Sequence, residues 1–324
     1  MAPQARMPDQ SPDQGIADAV RGNWVDRFAP RGARPYLRLA RADRPIGTWL
    51  LYIPCLWAVS LAANGGGGFG RFDLWIILSC GIGAFLMRGA GCTWNDITDR
   101  HIDGSVERTR LRPIPAGQVT VVQACLWMAG LALVSLLILL TYNRLAIMLG
   151  ILSLVPVGIY PFAKRFTWWP QVFLGLAFNW GALLAWAAHA GQVSAGALVL
   201  YAAGIFWTLF YDTIYAHQDK EDDALIGVKS TARLFADASR QWLYLFILLT
   251  SGLFALAILL TIPAERGAWP TIVSLLGVGA FAGHMIRQMR GLDLDDSSAC
   301  LHAFRSNRDA GLVAVPFLAA AAFL

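Results

Sequence analysis

The chain has 324 residues, of which 56% are hydrophobic and only 15% charged, with a formal net charge of +5. Soluble domains carry about 25% charged residues, and here the apolar residues run in long uninterrupted blocks, so a soluble globular domain is excluded. The basic excess is concentrated near the N-terminus and between apolar blocks, which argues against a nucleic-acid surface and for charge placed beside membrane spans.

Taken in chain order, residues 1–44 come first. They are polar, mix Pro, Asp and Arg, and hold eight arginines. They contain no apolar stretch of the kind a cleavable signal peptide needs, and Asp9, Asp13, Asp18 and Asp26 argue against an acid-poor transit peptide. The expectation is a largely disordered cytoplasmic extension over 1–44, followed by one membrane domain over 45–324. A membrane-spanning helix needs about 20 mostly apolar residues. Nine segments qualify or nearly do: 46–63, 74–92, 119–141, 145–161, 170–189, 194–211, 241–262, 269–286 and 310–324, the last being short. Backbone polar groups in lipid must pair within their own segment, so these are helices and the fold is all-α and polytopic. Arg88 is the one charged residue inside any of them. Asn179 is a second polar residue expected to face an interior cavity.

Orientation follows from Lys and Arg. With the N-terminus inside and nine spans, all but Arg71, Arg144 and Arg266 of the 26 Lys and Arg fall on the inner side. So skewed a split supports both the span count and an N-in, C-out topology. Five cysteines show no CxxC or His/Cys cluster and read as small packing residues. The glycine run 65–68 lacks the strand–helix context and the GK[ST] ending of a phosphate loop. It falls on the outer side and reads as a linker.

Two long inner connections, 93–118 and 212–240, carry ten of the 21 acids. They follow the second and sixth spans, which suggests two halves that each contribute one acidic segment. At about 100° per residue, Asn95, Asp99 and Asp103 share one helical face, and so do Asp212, Asp219 and Asp223. Carboxylates about 4 Å apart at an effective dielectric near 20 repel by about 4 kcal/mol per pair. Such clusters call for a cation. Oxygen-only ligands select a hard ion, Mg²⁺ rather than zinc, and Mg²⁺ shares its coordination sphere with substrate phosphates. Arg108, Arg110 and Arg112 follow the first cluster, and Lys164 and Arg165 sit in the next inner loop as candidate diphosphate partners. Arg88 is expected to face a cavity.

The stretch Asn95-Asp96-x-x-Asp99-x-x-x-Asp103, with Arg108-Thr109-x-x-Arg112-Pro113 after it, resembles the first motif of UbiA-type intramembrane prenyltransferases. Asp212 to Asp219, continuing through Asp222-Asp223 to Ile226-Gly227-Val228-Lys229-Ser230-Thr231-Ala232, resembles the second. The segments 44–48, 87–92 and 160–167 are similar to the 4-hydroxybenzoate polyprenyltransferase branch. The resemblance covers about residues 45–324. It implies nine transmembrane helices around a central cavity open sideways to lipid, with Mg²⁺ as cofactor. It implies polyprenyl diphosphate and 4-hydroxybenzoate as substrates, and transfer to the ring carbon ortho to the hydroxyl, a step of ubiquinone biosynthesis. By the same resemblance, Asn95, Asp99, Asp103, Asp212, Asp219 and Asp223 hold the metal, with Asp99, Asp103, Asp219 and Asp223 as catalytic carboxylates. Arg112, Lys164 and Arg165 bind diphosphate, Arg44 or Arg88 reads the acceptor carboxylate, and Tyr160 lies near the reacting carbon. The expected location is a bacterial inner membrane with the site at the cytoplasmic side, a mitochondrial inner membrane being the alternative. The lipid bilayer, and other enzymes of quinone biosynthesis, are the further partners. Two alternatives stay open on sequence: another acceptor, such as homogentisate, dihydroxynaphthoate or haem, and a transporter. A transporter would place its acids near the membrane midplane, whereas these cluster at one edge.

Overall fold

The computed structural model describes residues 22–104 and 109–324. Among these residues the only regular structure is helical. Two short helices, α1 (Trp24–Phe28) and α2 (Arg34–Leu39), precede α3 (Ile46–Gly65), α4 (Arg71–Asp103), α5 (Val121–Leu139), α6 (Arg144–Leu152) and α7 (Leu154–Phe166). There follow α8 (Pro170–Ala190), α9 (Ala195–Ala216), α10 (Lys220–Ile226), α11 (Thr231–Phe235), α12 (Ser239–Thr261), α13 (Trp269–Arg290) and α14 (Ser297–Ala321). Eight helical segments are long and apolar enough to cross a membrane, with α6 and α7 counted as one. The ninth expected span corresponds to α14, which has the length at 25 residues but carries Arg305, Arg308 and Asp309 in its first half.

The bundle is centred on aromatic packing. Trp57 of α3 lies 4.9 Å from Trp207 of α9, 4.8 Å from Phe254 of α12 and 5.4 Å from Phe281 of α13, ring centre to ring centre. All four are fully buried. Each indole N–H finds a partner, as buried tryptophan requires: Trp57 Nε1 donates to the Gly311 carbonyl at 2.8 Å and Trp207 Nε1 to Asn307 Oδ1 at 3.0 Å, both on α14. Gly311 is where α14 comes closest, since a Cβ there would sit 2.8 Å from Trp207. Small residues at helix contacts are how backbones approach when lipid removes the hydrophobic drive between helices. The outer surfaces of α5 to α7 are apolar and exposed, with Leu126, Leu137 and Met148 typical. This is the pattern of a lipid-facing wall.

Two expectations are corrected here. Residues 22–44, assigned to a largely disordered extension, are ordered, while residues 1–21 of that extension lie outside the described residues. Their apolar residues have somewhere to go: Val25, Ala29 and Ala42 cluster around Leu37, Leu39 packs with Ile97, Val119 and Ala124, and Ala40 with Ala90 and Leu131. Tyr36 meets Trp127 of α5 at 5.7 Å. The segment is therefore a strap across the C-terminal part of α4 and the N-terminal part of α5. Asn179 does not face a cavity. It is buried between α8 and α9, where its Nδ2 donates to Thr208 Oγ1 at 2.8 Å.

Removing the central indole would leave a cavity among Trp207, Phe254 and Phe281. Trp57→Ala is expected to cost about 3–5 kcal/mol and so to lower the thermal unfolding midpoint in detergent. Leu248→Ala, on the exposed face of α12, should change stability by no more than about 0.5 kcal/mol.

Candidate active site

The first acidic segment is helical as expected, because α4 continues unbroken for 33 residues through Asp103. The second is not one helix. His217 Nδ1 donates to the Thr213 carbonyl at 2.8 Å, taking the acceptor its own backbone N–H would use, and that N–H turns to Ile214 instead. The chain tightens into a 3-10 turn over His217–Asp219 and restarts as α10. Asp212 therefore sits on α9 and Asp223 on α10, with Asp219 at the junction, yet all three line one cavity.

That cavity has a volume of about 280 Å³ and is lined by oxygens from both halves: Asn95 and Asp103 of α4, and Asp212, Asp219 and Asp223. Lys164 and Lys229 also reach it. It adjoins a larger, mainly apolar cavity of about 760 Å³, with Asn95, Arg112, Tyr160, Leu174, Asp212 and Tyr215 on the walls of both. The larger cavity follows α4 from Asn95 to Ser79, or about 24 Å at 1.5 Å per residue. At the end far from Asn95 the Tyr142 hydroxyl is 2.5 Å from Ser79 Oγ.

The carboxylates of α4 are held by cations from three other segments. Lys164 Nζ lies 2.5 Å from Asp99 Oδ2, and Arg165 Nη2 lies 3.1 Å from Asp99 Oδ1. Arg112 Nη1 bridges Asp103 Oδ2 at 2.7 Å and Asp96 Oδ1 at 3.3 Å. Arg41 Nη2 completes the set at 2.6 Å from the same Asp96 oxygen. Asp99 is 1% exposed and lines neither cavity. Its two cations, expected on diphosphate, are therefore engaged with a carboxylate expected on the metal. Arg165 is also set apart from both cavities, over the Phe162 ring at 5.1 Å. Asp103, Asn95, Asp212, Asp219, Asp223, Arg112, Lys164 and Tyr160 are brought together as expected; Arg108 lies outside the described residues.

Arg44 and Arg88 both line the polar end of the larger cavity. Arg44 lies beside Asp43, 3.4 Å away. Arg88 packs over the Phe178 ring at 5.7 Å, and its buried Nε has no hydrogen-bond partner. Among the described residues no carboxylate lies within ion-pair distance of it. Gly47 makes the room, because a Cβ there would sit 1.8 Å from Arg88 Cζ. Tyr160 donates its hydroxyl proton to the Gly91 carbonyl at 3.0 Å.

Sequence reasoning missed Asp96 and Arg41. Asp96 could have been found, since Asp96 and Asp103 are seven residues apart and fall about 20° from each other around a helix. Arg41 carried no such signal, being one of eight arginines in a polar stretch. Its backbone does mark it. The bonds Ala42 N to Leu37 O (2.9 Å) and Arg41 N to Arg38 O (3.1 Å) form a Schellman cap on α2, with Arg41 at φ 55°. Glycine is the usual residue there, and a side chain in that conformation costs about 1–2 kcal/mol. Burial opposes the charge of Arg41, but the Asp96 carboxylate outweighs it and holds the guanidinium above its ordinary pKa.

The region from the middle of α3 into α14, residues 51–308, matches the UbiA prenyltransferase family. The chain belongs to that family. Relatives across nearly the whole chain are the mitochondrial 4-hydroxybenzoate polyprenyltransferases of Mus musculus and Arabidopsis thaliana. The mouse enzyme is 46% identical over 310 residues, 95% of this chain and 80% of its own length. The Arabidopsis enzyme is 44% identical over 306 residues, 94% of this chain and 72% of its own length. Among solved structures, the apo UbiA homolog from Aeropyrum pernix K1 superposes with a TM-score of 0.63 at 19% identity, over 83% of this chain and 96% of that one. The UbiA homolog from Archaeoglobus fulgidus bound to GPP and Mg²⁺ gives 0.62 at 18%, over 89% and 98%. At these identities the structural likeness is one of fold. The expectation of a bacterial inner membrane is corrected by the sequence relatives, which are mitochondrial proteins in animals, plants and Dictyostelium discoideum.

Gly47→Ala is expected to displace the Arg88 guanidinium without unfolding the bundle, because the clashing atoms belong to the end of a flexible side chain. Prenyl transfer in membranes should fall at least about tenfold while the unfolding midpoint stays near that of the unaltered chain.

Proposed function

We propose that this chain transfers a polyprenyl group from polyprenyl diphosphate to the ring carbon ortho to the hydroxyl of 4-hydroxybenzoate, a step of ubiquinone biosynthesis. The observation that carries this reading is the pair of adjoining cavities, one apolar and one lined with oxygens, which meet at Asn95, Tyr160 and Asp212. A substrate with a long hydrocarbon tail and a diphosphate head needs that pairing. The relatives named for this activity, at 44–46% identity, support the aromatic acid as acceptor over homogentisate, dihydroxynaphthoate or haem.

The oxygen-lined cavity fits Mg²⁺ by its donor set. Asn95, Asp103, Asp212, Asp219 and Asp223 offer oxygens only. Among the described residues no three His, Cys, Asp or Glu groups form a ready-made metal cage. A hard ion that leaves part of its coordination to water and substrate phosphate matches such a set. Those five residues would hold the ion, with Asp99 behind them keeping Lys164 and Arg165 in place. The chemistry Mg²⁺ supplies when bound is neutralisation of charge on the departing diphosphate. Lys164 and Arg112 add positive charge beside the same oxygens.

The allylic C–O bond breaks and its electron pair leaves with diphosphate. The apolar walls exclude water, which would otherwise capture the allylic cation. The ring carbon ortho to the phenol oxygen forms the new C–C bond, and its proton passes to a cavity carboxylate or to the diphosphate. Arg88, which makes no ion pair among the described residues, is suited to the acceptor carboxylate. Tyr160 lies on the wall shared by both cavities, where the two substrates meet. In this reading α14 is the ninth span, the topology is N-in and C-out, and the site faces the side rich in Lys and Arg. A mitochondrial inner membrane replaces the bacterial one as its location.

Purified chain incubated with Mg²⁺, 4-hydroxybenzoate and a polyprenyl diphosphate is expected to give the prenylated acid by mass spectrometry. Chelation of Mg²⁺, Asp219→Ala or Asp99→Ala should each abolish the product with folding retained. Near-normal turnover in either variant would remove that residue from the machinery, and product from homogentisate alone would change the acceptor.

A further inference from the structure

The cation at the far end of the α4 ion-pair chain comes from the strap, outside the stretch matched to the family. We propose that Arg41 is a positioning residue for the reaction: through Asp96 and Arg112 it fixes the orientation of Asp103, the cavity carboxylate of α4. The inference rests on reading Asp103 as one of the residues that hold Mg²⁺ and diphosphate.

Three observations carry it. The first is connectivity. A single nitrogen, Arg112 Nη1, serves both Asp103 and Asp96, and the Asp96 oxygen it uses is the one Arg41 holds at 2.6 Å. Asp96 is fully buried, and Arg41 makes the shorter of its two ion pairs. Without Arg41 the Asp96 carboxylate loses the contact that sets its position, and the Arg112 nitrogen it shares with Asp103 loses a fixed second anchor.

The second is the backbone. Arg41 stands at the left-handed cap position where glycine would fit without strain, so the position is used for its side chain rather than its backbone.

The third separates Arg41 from an acceptor-binding group. It lines the polar end of the large cavity beside Arg44 and Arg88. However, its Nη2 is engaged by Asp96, and its Nη1 donates to the Arg38 carbonyl at 3.1 Å. Arg38 is anchored in turn on Asp26 at 2.9 Å, and Trp24 Nε1 donates to the Ala42 carbonyl at 2.8 Å. The strap thus holds the guanidinium from behind, and the buried pair with Asp96 holds it from the front.

The test uses the full chain in detergent, with Mn²⁺ as a spectroscopic stand-in for Mg²⁺. Mn²⁺ binding in the presence of geranyl diphosphate is followed by electron paramagnetic resonance, alongside KM for each substrate. Arg41→Gln is expected to weaken Mn²⁺ binding about tenfold, the effect of losing a group that orients a ligand. It should raise KM for the diphosphate while leaving KM for 4-hydroxybenzoate within about twofold. Arg41→Lys, which keeps a charge within reach of Asp96, should recover binding to within about threefold. Asp96→Asn breaks the chain one link further on. It should match Arg41→Gln, gives the answer if that variant does not fold, and should add little to it in the double variant.

Unchanged Mn²⁺ binding in Arg41→Gln would overturn the proposal. So would a loss confined to KM for 4-hydroxybenzoate, which would make Arg41 an acceptor contact. Asp103→Asn measured in parallel separates the two levels. If Asp103→Asn also leaves Mn²⁺ bound normally, the metal reading of Asp103 has failed. If only Arg41→Gln does, the positioning role alone has failed.

Discussion

A carboxylate taken out of water must be paired, and breaking a buried pair by removing one partner costs about 3–5 kcal/mol. The last three turns of α4 place Asp96, Asp99 and Asp103 where none is more than 5% exposed. Three other segments of the first half are arranged around that demand. The strap delivers Arg41, the loop after α4 delivers Arg112, and the end of α7 delivers Lys164 and Arg165. The loop is held by its own bonds back to α4, as Thr109 Oγ1 donates to the Asp103 carbonyl at 2.8 Å. Charge pairing, together with apolar burial, fixes how these pieces meet.

The two acidic segments are alike in sequence and unlike in structure. On α4 the carboxylates are tied to protein cations, and of the three only Asp103 lines the cavity. On the other side Asp212, Asp219 and Asp223 come from three successive pieces of backbone and converge on the cavity. One wall of the site is thus carried by a single continuous helix and the other by a segment broken at a 3-10 turn. The joint itself depends on one side chain, because His217 takes the carbonyl that would have continued α9.

Below that polar layer the bundle is built differently. There the walls are apolar, the cavity runs along α4 past Gly83 and Gly91, and α5 to α7 form a wall whose outer face is lipid-like. Tight packing lies on the opposite side, where α3, α9, α12, α13 and α14 close on Trp57 and Trp207. One side of the molecule is thus solid and the other hollow. A stable bundle that must also admit a hydrocarbon chain requires that asymmetry.

What the sequence determined by itself is everything that depends on local chemistry. Long apolar blocks cannot satisfy their backbone in lipid except as helices, so eight spans and the helical class were legible. Carboxylate spacing marked both acidic segments, but the second is broken by a 3-10 turn and Asp99 of the first turns away from the cavities. Motif resemblance identified the family. What only the tertiary structure decided is pairing. Which cation meets which carboxylate depends on the path of segments far apart in the chain. Lys164 and Arg165 accordingly fell to Asp99, 65 and 66 residues away. Arg41 fell to Asp96, 55 residues away. The order of residues 22–44 was hidden for the same reason. A short polar segment has too little apolar surface to fold alone, and it becomes ordered only because α4 and α5 offer Leu39, Ala40 and Tyr36 a surface to cover.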